Sequence, residues 1–191
     1  MAEAAPATAE ERKARIRAAI REIPDWPKPG IMFQDVTTVL LDPVAFKASI
    51  DLLVDRYRDK GVSVVAGFDA RGLIFGAPLA IALGCGFVPL RKPKKLPGET
   101  IGEDYALEYG TDRIEMHVGH VTAADKVVLV DDLIATGGTM GAGVKLMQRV
   151  GATIVECACV IELPGLNGRQ KLAVLGIPTE LIYTMLEIDV L

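Results

Sequence analysis

Aromatic side chains are scarce in this chain: five phenylalanines, four tyrosines and one tryptophan in 191 residues. Half of the residues are nevertheless hydrophobic. The core must therefore be mostly aliphatic, as in the buried strands of parallel-sheet α/β proteins. Cysteine is scarcer still, at three. An odd number with no paired framework excludes a disulfide-stapled scaffold and points to reduced thiols and a cytoplasmic setting. Cys157 and Cys159 lie two apart in an apolar run, so they share one face of a strand and read as core rather than as metal ligands. No apolar run reaches the ~20 residues needed to span a bilayer. The first twenty residues show no signal-peptide core. Positive charge is not in excess, and a formal net charge of −4 argues against a general nucleic-acid or membrane binder.

What is present is alternation. The length suits one domain, residues 1–191, with an Ala/Pro-rich tail, residues 1–7, expected to be disordered. Residues 8–22 read as a helix capped by Thr8, with Ile16, Ala19, Ile20 and Ile23 as its stripe. A Pro/Gly-rich excursion follows. Residues 43–60 form a second helix with Phe46, Ile50, Leu53, Val54 and Tyr57 on one face. Thereafter short apolar strands ("VSVVAGF", "GFVPLRK", "KVVLVDD", "TIVECACVIEL", "TELIYTML") are separated by helical stretches. This pattern predicts an α/β fold with a mostly parallel sheet flanked by helices, its ligands outside the carboxyl ends of the strands. Between residues 93 and 118 a polar, Gly-rich stretch carries two alternating runs, Tyr105/Leu107/Tyr109 and Ile114/Met116/Val118. It predicts a lid loop and β-hairpin.

Residues 127–140, "VVLVDDLIATGGTM", carry the strongest chemical signal. Four apolar residues run into Asp131 and Asp132, whose like charges repel. Capping the next turn would need only one of them. Gly137 and Gly138 then permit a tight turn with exposed backbone N–H groups, Thr136 and Thr139 add hydroxyls, and a helix begins. Such a turn cradles phosphate, although it is neither a P-loop nor a dinucleotide fingerprint. The acids would repel phosphate but would accept from a diol. A phosphorylated sugar satisfies both halves of the motif.

"VVLVDDLIATGGT" closely resembles the phosphoribosyl-diphosphate-binding motif of the type I phosphoribosyltransferases. The segments "PDWPKPGIMFQD", "GFDARGLIFG", "RKPKKLPGET" and "LEYGTDRIEMH" follow the order found in the adenine-using branch of that family. The resemblance implies transfer of a phosphoribosyl group from 5-phospho-α-D-ribose 1-diphosphate to adenine, giving AMP and diphosphate in purine salvage. It also implies Mg²⁺ bound mainly through the substrate, and a homodimer. Asp131 and Asp132 would take the ribose diol, and Ala135, Thr136, Gly137, Gly138 and Thr139 its 5-phosphate. Asp69 and Ala70 would form a diphosphate loop with a cis peptide between them, and Arg71 would place a catalytic cation near the leaving group. Arg91, Lys92 and Lys95 would contact diphosphate, with Lys94 more dispensable.

The family's small hood falls on residues 24–40. Phe33 would stack on the base, and Ile31 and Met32 would read its edge through backbone groups. Gln34 stands where many members carry Arg, and keeps hydrogen-bonding capacity. Ile134 would pack on the other purine face. On the lid, Glu108 would exchange a proton with the base and Tyr109 would help to close the site. His117 and His120 read as hairpin and turn residues, not general bases. No dedicated metal cage is expected. Two rival readings are a transferase for another purine or an N6-substituted adenine, and a non-catalytic regulator that binds the sugar diphosphate.

Overall fold

The computed structural model describes residues 7–106 and 110–189. Thr8 starts α1 (Ala9–Ala19) through a capping box: its hydroxyl accepts from Glu11 N at 3.2 Å, and Glu11 Oε2 accepts from Thr8 N at 2.7 Å. Two amides left over at the helix start are thereby satisfied. The helix ends before the expected Glu22. Thr38 Oγ1 donates to Ala19 O (2.6 Å) and accepts from Arg21 N (3.1 Å), which takes the groups a further turn would need. Arg21–Pro24 instead forms β1, antiparallel to β2 (Met32–Asp35). This hairpin overlaps the segment, residues 24–40, expected to form the hood, and Trp26 meets Phe33 edge-on across it at 4.4 Å between ring centroids.

Asp42 caps α2 (Pro43–Tyr57), accepting from Val44 N and Ala45 N. Its most buried face is Ala45, Ala48, Ser49, Leu52, Leu53 and Tyr57, with Phe46, Ile50 and Val54 only partly buried. The apolar stripe is thus rotated from the one read in the sequence. Small residues let the helix approach closely, and the larger ones reach in from its flank.

The remaining elements are β3 (Val64–Phe68), α3 (Arg71–Leu83), β4 (Gly86–Leu90), β5 (Thr100–Ala106), β6 (Thr111–His117), β7 (Lys126–Ile134), α4 (Gly138–Val150), β8 (Thr153–Glu162), α5 (Gly168–Val174) and β9 (Ile182–Glu187). Five strands form one parallel sheet in the order β4-β3-β7-β8-β9. Both faces are covered, so the strands are apolar throughout. Val127 and Leu129 pack with Val144 and Met147 of α4, whereas Val128 and Val130 pack with Leu52, Phe75 and Leu79 of α2 and α3.

The chain leaves β3 for β4 on one side and returns to β7 on the other. Strand order therefore reverses between β3 and β7, and a crevice opens there beyond their carboxyl ends. β5 and β6 pair antiparallel as the expected hairpin, from Thr100↔His117 to Ala106↔Thr111. One face of it is part of the core, since Tyr105, Ile114 and Met116 are buried. Among the described residues no helix is long and apolar enough to cross a membrane.

Candidate active site

β7 carries the acid pair into the crevice. Its pairing with β3 stops at Gly67↔Val130, while pairing with β8 continues to Ile134↔Glu162. The strand therefore runs past the two acids, where the sequence placed its end. Asp131 and Asp132 still lie beyond the end of β3, on the edge that faces the crevice. They are 8% and 7% exposed. Asp132 N donates to Asp131 Oδ1 at 2.9 Å.

A cavity of about 270 Å³ lies against them. It is lined by Asp69, Ala70, Arg71, Lys92, Asp131, Asp132 and every residue of 133–140. Of the expected residues, Asp131 and Asp132, the turn 135–139, and Asp69, Ala70, Arg71 and Lys92 are thus gathered on one opening, from three segments more than 20 residues apart. Leu133 and Met140 were not among the expected residues, although both belong to the motif. The Asp69–Ala70 peptide is cis, as the resemblance implies.

The turn is shaped by backbone contacts. Gly137 has φ +74°, and a Cβ there would lie 2.8 Å from Gly168 O. A side chain is therefore disfavoured twice over. No side chain caps α4, and its first turn carries no acid. Gly138, Thr139 and Met140, the first residues of α4, line the cavity, and the amides and positive dipole end of a helix start suit an anion. On the other wall, a Cβ on Gly72 would lie 2.4 Å from Val130 O and 3.1 Å from Asp131 Cα. The start of α3 is pressed directly onto the strand that carries the acids.

Charge is concentrated here. Arg71 Nε donates to Asp132 Oδ2 at 2.5 Å. Burial opposes the Arg71 charge, but Asp132, Asp131 and the hood's Asp35 outweigh it and raise its pKa. Burial, and next the neighbouring Asp132 carboxylate, push Asp131 well above the ordinary carboxylate range. The pair thus favours a ligand that donates hydrogen bonds or brings positive charge.

The basic run divides. Lys92 lines the cavity, and its Nζ donates to Tyr105 Oη at 2.8 Å and pairs with Asp112. Arg91 does not line the cavity; its Nε donates to Asp69 Oδ2 at 2.9 Å and so holds the cis-peptide loop. Lys95 is exposed and away from the cavity lining. Ile31, Met32, Phe33 and Gln34 belong to the hood and do not line the cavity. Gln34 is buried, and its Oε1 has no hydrogen-bond partner among the described residues. Ile134 is 1% exposed, in the core. Glu108 and Tyr109 lie outside the described residues.

The arrangement accommodates anions at two ends with hydroxyls between them. That is the ligand class of the type I phosphoribosyltransferases, and comparison with known proteins gives the same class. The phosphoribosyl transferase domain matches residues 36–180. Adenine phosphoribosyltransferase 3 of Arabidopsis thaliana is 68% identical over 157 residues, covering 82% of this chain and 86% of that protein. The crystal structure of adenine phosphoribosyltransferase from Thermoanaerobacter pseudethanolicus is similar with a TM-score of 0.84 at 46% identity, covering 95% of this chain and all of that one. The Saccharomyces cerevisiae enzyme, crystallised with an imino-altritol bisphosphate and adenine, matches with a TM-score of 0.84 at 35% identity, over 93% of this chain and 99% of that one. The chain belongs to the phosphoribosyltransferase family and, within it, to the adenine phosphoribosyltransferases.

Proposed function

We infer that the chain is an enzyme that joins adenine to 5-phospho-α-D-ribose 1-diphosphate, giving AMP and diphosphate in purine salvage. The observation that carries this reading is the cavity shared by the buried acid pair and the uncapped start of α4. Asp131 and Asp132 accept from the ribose hydroxyls. The amides and hydroxyls of residues 136–139 hold the 5-phosphate. Arg71 and Lys92 face the diphosphate, with Arg91 acting through Asp69. As the C1–O bond breaks, the ribose gains positive charge and the leaving diphosphate gains negative charge. The protein's work is to hold the sugar still, neutralise the departing anion and keep water out. N9 of adenine forms the new bond and gives up its proton. Glu108 is the group we assign to that proton, from the family resemblance.

Among the described residues no cluster of three or more His, Cys, Asp or Glu could hold a metal ion. The acid pair still fits a cation brought in on substrate oxygens, since a positive charge would offset the burial and repulsion that raise Asp131, and magnesium needs few direct protein ligands. Mg²⁺ held by the diphosphate and ribose oxygens would supply neutralising charge at the leaving group.

We also propose a homodimer, supported by α3. From Gly72 to Leu83 this helix has no charged residue, and its outer face leaves Ile74 at 39% and Ile81 at 82% exposed. A cytoplasmic location is supported by three cysteines that form no disulfide. The direct test is product formation from a panel of bases with the sugar diphosphate and Mg²⁺. AMP and diphosphate from adenine are expected. Faster turnover of hypoxanthine, guanine or an N6-substituted adenine would reassign the base.

A further inference from the structure

The cations of the cavity sit at one end. Arg71 and Lys92 are on the β3 and β4 side, and each is already paired, with Asp132 and with Asp112. Around the phosphate turn, residues 133–140, the lining carries no charged side chain. A phosphate monoester would bring up to two negative charges there. The α4 dipole offers roughly half a unit charge in return.

A cation does stand behind the turn. Lys171 of α5 places its Nζ 3.7 Å from where a Cβ on Gly138 would be. Its position is set by the backbone. Gly168, the first residue of α5, lies so close to the turn that a Cβ on it would be 2.5 Å from Ala135 O and 3.3 Å from Gly137 N. Lys171 follows three residues later, on the same side of the helix. Among the described residues its ammonium forms no hydrogen bond or ion pair. Lys171 also borders a second cavity, of about 380 Å³, whose other lysine is Lys145. Lys145 is seven residues along α4 from Gly138, a backbone rise of about 10 Å.

We propose that Lys171 is a positioning residue for the ribose 5-phosphate, supplying through the backbone of the turn the positive charge that the turn lacks. This rests on the reading that the turn binds that phosphate. It makes α5 part of the binding machinery: Gly168 fixes the shape of the turn and Lys171 sets its potential. The contribution is electrostatic and long-ranged, so it is graded and sensitive to salt.

The test is calorimetric titration of the full chain with ribose 5-phosphate and, separately, with inorganic diphosphate plus Mg²⁺. Lys171→Gln should weaken ribose 5-phosphate binding about three- to tenfold at low ionic strength, with the difference shrinking in high salt. Lys171→Arg should bind nearly as the wild type does. Diphosphate binding should be unchanged, and Lys145→Gln should have a smaller effect. Unchanged ribose 5-phosphate affinity in Lys171→Gln would overturn the proposal. So would an equal loss for both ligands, an equal loss in Lys145→Gln, or a loss that salt does not reduce. Wild-type protein that fails to bind ribose 5-phosphate at all would instead overturn the functional reading beneath it.

Discussion

Asp131 shows how a single residue is held against its own preference. Burial and Asp132 raise its pKa well above the usual carboxylate range. The folded chain therefore binds this proton more tightly than the unfolded chain does. Stability then falls as pH rises from the unfolded value, about 3.9, through the raised folded value. An asparagine at this position would carry no charge, yet its side-chain oxygen could still accept from Asp132 N. Asp131→Asn is accordingly expected to raise the melting temperature at pH 8 and to lower kcat/KM about tenfold to a hundredfold. Thermal unfolding and steady-state rates on one preparation check both halves; a lower melting temperature would remove the claim of stored repulsion. The acid pair was legible in the sequence because charge inside an apolar strand is unusual. The partners of the basic loop were not. Arg91 meets Asp69 and Lys92 meets Asp112, pairings more than 19 residues apart that only the sheet order and hairpin register bring together. Glu108 and Tyr109 keep the roles that the resemblance implies as proposals.

Elements hold these side chains in place, and two of them give sharp expectations. The start of α3 rests on β7 with no room for a methyl group at Gly72. Gly72→Ala should destabilise the fold by about 1–3 kcal/mol. It should also displace Asp131, reducing activity per folded molecule; denaturant unfolding beside rate measurements would show whether both occur. Far from the site, Glu156 of β8 is 2% exposed and accepts from Arg56 Nε at 2.5 Å, Lys60 Nζ at 2.7 Å and Tyr57 Oη at 2.8 Å. These bonds hold its pKa low despite the opposing effect of burial. The stability they give is present above the unfolded carboxylate value and lost as pH falls through the folded one. Glu156→Ala should destabilise by about 2 kcal/mol, less than for a fully buried pair because Arg56 and Lys60 are partly exposed. Activity at 20 °C should be retained, and a loss of turnover without a loss of stability would contradict a purely structural role. Most elements could be read from hydrophobic period and glycine placement. The end of α1 could not, because Thr38, nineteen residues on, competes for its last carbonyl. Nor could the extension of β7, which depends on β8 alone offering a partner beyond Val130.

At the scale of the whole molecule, the reversal of strand order creates the crevice, and the same reversal decides which loops share it. The α/β class and the site's position were legible because strand–helix alternation leaves few topologies. The hood's pairing, the face that α2 buries and the surface left open on α3 were not, since each depends on what packs beside it. Ile81→Glu should convert a dimer into a monomer, read as a halved mass by light scattering at micromolar concentration. An unchanged mass would place any dimer contact elsewhere. The most direct measurement of the central claim is a crystal structure with AMP bound. The phosphate is expected against the amides of residues 136–139, and the ribose hydroxyls against Asp131 and Asp132. A nucleotide bound away from this cavity, or one with its phosphate at Arg71 and its ribose distant from the acid pair, would contradict that claim.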